Sequence, residues 1–579
     1  MSPAGLPTLG RHLAGLGAGL LLAAPLSWPL GPLDDHHRLF GLILAAAVVA
    51  LASPALERRP WGPALVEVVM VAIVALGLDP GRGAGPVALA GSGLGLLMVG
   101  GLLVAAALVG AVATGPRLVR SLPLHTWNQL HYVLGTKYFD ELGYHDLYPA
   151  MLLADQEGPR RLVHVTKVRD MRTYTGIPRK EALERARAEG LRERFTDARW
   201  AEFQADLEVF WPEASPRTWA GVVTDLGYNP SPVWVVVHRP LLQVVDLSAT
   251  SLRGLALLQI PAYALTLALS WWAFGRRATL WLVLWNALFF GSRGRLFGGY
   301  WSYDWLCLAI CAAALIQRGR PALAAIPIAM GGLMRGFGGL LALGPTAHWM
   351  AQSVRARRLQ PETTRFVLAM AGAMTLLLLA SLGTAQGLGA WGEWLDKIAL
   401  HSARISTGGR HLGLKVLFGE DWSVPGHTAD LDLRRQIYAG QAWAYHLVQA
   451  LLVGWTLWLL PRRRPLDAAL LGFIPAFAGM VLSRYYYAAW GLLMLLGWRS
   501  ERPQGRPLAQ VGMLSVLALH EGQFLIAGTT PDSRHQAVNL LLLGLAVATL
   551  AGWSWVDVRA KGANGPATLP PWHPPPASA

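Results

Sequence analysis

Apolar runs of about 20 residues recur along this chain, and that is the length an α-helix needs to cross a bilayer. They lie near 12–33, 39–56, 61–78 and 87–114, and resume from 252 to 556. A transmembrane barrel would show short alternating segments instead. Only 15% of the 579 residues are charged, against about a quarter in soluble domains. The pattern predicts an all-α polytopic bundle of about 13–15 spans, multi-pass in the cell (inner) membrane.

The formal charge of +15 does not point to nucleic acid. Lys and Arg collect in short loops between apolar runs, as cytoplasmic loops do. The two cysteines, Cys307 and Cys311, lie four apart on one helical face, so neither a disulfide nor a zinc site is available. Arg11 is the only early basic residue and further runs follow closely, which reads as a retained helix rather than a cleaved signal.

The chain divides into six parts by composition. Residues 1–114 are N-terminal transmembrane helices. Residues 115–250 form a mostly soluble insert with amphipathic juxtamembrane helices. Residues 251–390 are central transmembrane helices with a helical hairpin, 391–440 an outer loop, and 441–557 C-terminal transmembrane helices. The Pro-rich tail 558–579 has the composition of a disordered segment.

Orientation follows from three basic loops, at Arg355–Arg358, Arg462–Arg464 and Arg499–Arg506. Placing them in the cytoplasm puts 390–440 and Arg484–Tyr487 outside. Arg318 and Arg320 then also belong inside, which requires 322–350 to turn back on itself. Met334-Arg335-Gly336-Phe337-Gly338-Gly339 supplies the turn, with Arg335 at its tip. The insert consequently lies on the extracytoplasmic side.

Within the insert, His125–Asp155 is dense in Tyr, His, Asp and Glu, and reads as two short amphipathic helices broken at Gly143. A carboxylate here, at the membrane surface, can act as general base toward an acceptor hydroxyl. Asp140 is the first candidate and Glu141 the second, while Asp146 reads as a helix cap. His131, Lys137, Tyr144 and Tyr148 offer groups for sugar or phosphate. Residues 177–211 read as a solvated helical pair.

In the outer loop, Glu393, Lys397, His401 and Arg404 fall on one helical face. That face is either a salt-bridged solvated stripe or, with Arg410, His411 and Lys415, an anion-binding surface. Arg484 and Tyr485 stand at an outer span end. Tyr300, Asp304 and Arg335 are polar groups within apolar segments, where ionisable residues are costly and mark function. No Walker loop, no GxGxxG opening a βαβ unit, no HExxH and no CxxC motif occurs, so a soluble nucleotide has no obvious cradle and no metal or cofactor is called for. A lipid-borne donor fits better.

Three features together resemble the GT-C class of integral membrane glycosyltransferases, in particular the bacterial polyprenol-phosphate-mannose-dependent mannosyltransferase-like family. They are the acidic, Tyr-rich loop from Asp140-Glu141 to Tyr148; the segment GGYWSYDWLCLAICAAALIQRGRPALAAIPIAMGGLMRGFGGLLALGP, where Arg335 stands at the family's usual Lys; and the late outer loop with Lys397, His401 and Arg410. The resemblance implies a GT-C architecture and inverting transfer of a sugar from a polyprenyl-phosphate donor to a lipid or glycan acceptor. Asp140 would be the base. Arg404, Arg410, His401 and Arg484 would hold the phosphate, and aromatic rings near Tyr300 and Tyr485 would hold the sugar. The alternative class is a transporter or lipid flippase, which a broken helix with a buried Arg335 would suit.

Overall fold

The computed structural model describes residues 35–56, 59, 62–77, 124–289, 298–403, 411–422, 431–498, 507–526 and 531–563. The expected runs at 12–33 and 87–114, the tail beyond 563, and Arg404 and Arg410 lie outside the described residues. What is described is helical, with two small antiparallel ribbons, Lys167–Arg169 with Gly176–Pro178 and His411–Leu412 with Leu482–Ser483.

Among the described residues five helices are long and apolar enough to cross a membrane: Leu39–Leu56, Ala249–Phe274, Pro361–Ser381, Asp432–Arg462 and His535–Val558. This is a multi-pass membrane protein. Other apolar runs are shorter than full spans, for local reasons. Residues 465–479 form two helices that meet at Gly472, whose Cβ position would press on the Leu340 carbonyl at 2.6 Å. Arg484–Leu495 winds as a 3-10 helix, which gains about 2.0 Å per residue and so stretches few residues over a longer path. Pro232, Pro321, Pro361 and Pro465 each open a helix, where the missing N–H is not needed.

The ends of these helices sort into two sides. Trp498 donates to the Phe274 carbonyl at 3.2 Å, and Arg464 donates to the Trp498 carbonyl at 2.9 Å. Arg318 lies over the Trp272 ring at 4.8 Å, and Arg463 pairs with Asp557. Leu343–Arg355 packs against Leu460–Arg462 and Pro465–Leu471. Arg318, Arg355, Arg463 and Arg464 therefore share one side. At the opposite ends of the same spans lie the insert and the Glu420 carboxylate, which accepts from Arg434 and Gln536 at 2.8 Å each.

Between Arg318 and Arg355 the chain climbs and returns. The helix Pro321–Arg335 ends at Gly336, whose φ of +70° suits glycine. The 3-10 segment Phe337–Ala342 then packs back, with the Gly338 Cβ position only 2.8 Å from the Gly331 backbone. The second arm, Leu343–Arg355, diverges onto Pro465–Leu471. Arg335 at the tip meets the insert.

The insert, with the start of the span after it, builds its own core. Thr126–Lys137 is a helical run with a π-turn at Leu130–Leu134; it breaks at Tyr138 (φ −110°, ψ 26°) and resumes as the short turn Phe139–Leu142, stopped at Gly143 (φ +54°). It is not amphipathic as expected. From Leu130 to Phe139 only Tyr132 is not fully buried, because the rest of the insert wraps it. Asp197–Phe210 turns Trp200, Phe203, Leu207 and Phe210 inward at helical spacing, onto Tyr138 and Phe195, and buries one charge with them, Asp206, against Lys137. Each such buried aromatic contributes about 2–3 kcal/mol. Thr196 caps this helix and Ser215 the next.

Candidate functional site

Asp140 and Glu141 are neighbours with different surroundings, because successive helical residues point about 100° apart. Asp140 is 36% exposed, and its Oδ1 accepts from Arg239 at 2.5 Å and from the Ala385 amide at 3.0 Å. Gln386 donates to the Phe139 and Asp140 carbonyls at 3.2 Å. The acid thus sits where the insert meets the Ser381 end of the Pro361–Ser381 span. Glu141 turns inward, to Arg199 at 2.8 Å, and its Oε2 is buried without a hydrogen-bond partner. Asp146 stands at a helix N-cap position but makes no capping bond. Its carboxylate instead holds Arg172 at 3.1 Å and Arg194 at 2.8 Å, so the expected cap is an ion-pair node.

Other insert residues named from the sequence are interior. His131 bonds the Tyr148 hydroxyl at 2.8 Å and the Trp127 carbonyl at 2.7 Å. Lys137 is buried between Glu202 and Asp206, at 2.8 Å each. Tyr144 stacks on Tyr228 with centroids 5.9 Å apart.

Under the insert lies a second constellation. Arg335 donates to the Tyr132 hydroxyl at 2.6 Å and to Asp304 at 3.2 Å. Its guanidinium lies 4.6 Å from the Trp234 ring, a cation–π contact. Asp304 Oδ2 and Arg335 Nε are both buried without a hydrogen-bond partner. His238 stacks on Trp234 at 3.9 Å and bonds the Tyr300 hydroxyl at 3.1 Å. Burial and the nearby Arg335 charge push His238 down to about 3, so its ring is neutral at physiological pH. Tyr485 and Tyr486 lie within electrostatic reach of Arg335, and Tyr486 packs on Trp305 at 5.2 Å. The Pro232–Val244 helix links both constellations, with Trp234 and His238 facing Arg335 and Tyr300 while Arg239 holds Asp140.

The outer-loop stripe is real, and it faces protein. On the helix Leu388–Ala403, Glu393 Oε2 accepts from the Tyr144 amide at 3.5 Å and lies 3.8 Å from His145. Lys397 is fully buried and donates to the Tyr144 and Tyr228 carbonyls, at 3.0 and 2.7 Å. His401 packs edge-on to Tyr174. Lys397 fits neither a solvated stripe nor an open anion surface, whereas the Glu393 side chain remains 39% exposed. The ribbon pairing His411 with Ser483 brings the end of this loop beside Arg484 and Tyr485, two stretches far apart in sequence.

The sequence reading did not single out Arg239, His238, Tyr132 or Gln386. A signal existed for the first two: a His-Arg pair inside the apolar stretch VWVVVHRPLL. Among the described residues no group of three or more His, Cys, Asp or Glu could hold a metal.

Comparison with known protein families, with curated proteins and with solved structures gives no match. The class that fold and composition define is a helical multi-pass membrane protein with a folded insert on one side.

Proposed function

We propose that this chain is a membrane glycosyltransferase. It moves a sugar from a polyprenyl-phosphate donor to a lipid-linked or cell-envelope acceptor on the extracytoplasmic face. The observation that carries the reading is the position of Asp140. It is a partly exposed carboxylate, held in place on one oxygen, at the outer end of a span that faces lipid along most of its length. A donor that arrives within the bilayer meets an acid at that level.

In this reading Asp140 takes the proton of the acceptor hydroxyl. The acceptor oxygen attacks the anomeric carbon, the bond to the lipid phosphate breaks on the opposite face, and the configuration inverts. Charge develops on the departing phosphate, where Arg484, with Arg404 and Arg410, would stabilise it. Arg239 orients the carboxylate. Glu141, committed to Arg199, is the weaker base.

Membranes carrying Asp140→Asn, supplied with labelled polyprenyl-phosphate sugars, should lose transfer by about 100-fold or more with normal insertion. Glu141→Gln should lose far less. Unchanged envelope glycans after deletion of the gene would overturn the assignment.

One observation favours a transporter or flippase instead, the buried Arg335–Asp304 pair at the tip of a helix broken at Gly336. Lipid-linked cargo crossing reconstituted vesicles, with no transfer product, would support that reading.

A further inference from the structure

The helix Leu388–Ala403 grips two segments that meet at the candidate acid. Glu393 and Lys397 hold Tyr144, just past the turn that follows Asp140. Lys397 also holds the Tyr228 carbonyl, and Trp394 donates to the next one, that of Asn229, at 3.1 Å. Tyr228-Asn229 leads into the Pro232–Val244 helix, which carries Arg239. The Lys397 side-chain nitrogen is therefore the point at which both sides of the Asp140–Arg239 pair are tied together. Its surroundings leave no slack, since a Cβ on Gly227 (φ +69°) would lie 3.4 Å from Nζ and 2.8 Å from Met171.

We propose that Lys397 is a positioning residue: its side-chain nitrogen ties the turn after Asp140 to the lead-in of the Arg239 helix, and so holds the acid against its ion-pair partner. The functional meaning rests on Asp140 being the base. The clamp itself does not.

The clamp has a pH signature. Burial pulls Lys397 down to about 7, against smaller upward pulls from Asp225 and Glu393. When the clamp opens, the amine returns to water and to its ordinary value of about 10.4. The open state then binds more protons between pH 7 and 10, so the closed clamp gains stability as pH rises through that window and is weakest below it. The groups facing Lys397 do not titrate there. Burial lowers His131, burial lowers His145 to about 4 with help from Lys397 and Arg172, and burial raises Glu393 from the ordinary carboxylate range. Burial raises Tyr144 and Tyr228 far above their usual value. The Asp225 carboxylate, acting on Lys397, and the Arg172 guanidinium, acting on His145, are the other charged groups near this point.

The test is amide hydrogen exchange on the full-length protein in lipid discs, corrected for intrinsic rates, from pH 6 to 9. Protection of 141–146 and 226–230 should rise above pH 7 by up to about tenfold per unit, while the membrane helices stay level. Lys397→Met should flatten the profile. Should that variant fail to insert, Lys397→Arg replaces it, since its charge does not titrate in this range, and it too should be flat. A rise that persists in either variant, no rise in the wild type, or an equal rise across the molecule would overturn the clamp. Asp140→Asn with full transfer activity but an intact profile would leave the clamp standing and remove the base.

Discussion

At the scale of single residues, two kinds of buried charge have to be told apart. Arg335 and Asp304 compensate each other, and removing one leaves the other stranded. Arg335→Met or Asp304→Asn alone should cost about 3–5 kcal/mol, and the double change distinctly less than the sum. Thermal unfolding of the four proteins in lipid discs reads this directly; additive losses would mean that the pair is not coupled. Lys397, in contrast, holds carbonyls rather than an acid, which is why its proton is the labile one. Parts of this were legible in the sequence and parts were not. The spacing of Glu393, Lys397 and His401 fixes a common helical face. It cannot say whether that face meets water or protein, because the charge pattern is the same in both cases. Asp140 stood out as an acid beside aromatics, but its partner Arg239 is 99 residues away and nothing local couples them. Asp146 had the right place for a cap, and two arginines brought in by the following segment, Arg172 and Arg194, took its carboxylate instead.

At the scale of elements, the turn at Gly336 shows which glycines are chosen for conformation and which for space. Gly336 has open space around its Cβ position but a φ of +70°, so Gly336→Ala should cost about 1–2 kcal/mol of backbone strain. Gly338 has its Cβ position 2.8 Å from the Gly331 backbone. Gly338→Ala must push the two arms apart, at about 1–3 kcal/mol, and should loosen Arg335 from Tyr132 as well. Comparing unfolding temperatures and Tyr132–Arg335 cross-linking in the two variants separates these costs; equal effects on cross-linking would contradict the close approach. The turn could be read from Gly-rich sequence around a lone arginine. The divergence of its second arm onto Pro465–Leu471 could not, since it depends on a surface built more than 100 residues later. The 3-10 winding of Arg484–Leu495 was equally hidden, because an apolar run has the same composition in either helix.

For the whole molecule, the two-sided sorting of helix ends makes a topological claim. Lys180, exposed on the insert, and Arg358, in the basic loop, lie at opposite ends of the Pro361–Ser381 span. In spheroplasts, Lys180→Cys should react with a membrane-impermeant maleimide and Arg358→Cys only after lysis. The reverse result would put the Asp140 segment in the cytoplasm and end the glycosyltransferase reading. Which basic loops share a side is legible in the sequence, because positive charge is a local property of each loop. The number of full spans is not, because apolar length is shared between spans and short interior helices.

The Pro361–Ser381 span has a consequence of its own. Only 11% of its apolar window is buried inside the protein, so lipid is its main neighbour, and its Ser381 end reaches Asp140 through Ala385. Packed on Pro321–Arg335 along one face and open to lipid on the rest, such a helix can adjust its tilt to the thickness of the surrounding bilayer. The seating of Asp140 should then vary with acyl-chain length. Exchange of the Ala385 amide in 14-carbon against 18-carbon lipid discs would show it, and identical protection in both would mean that the insert alone fixes the acid.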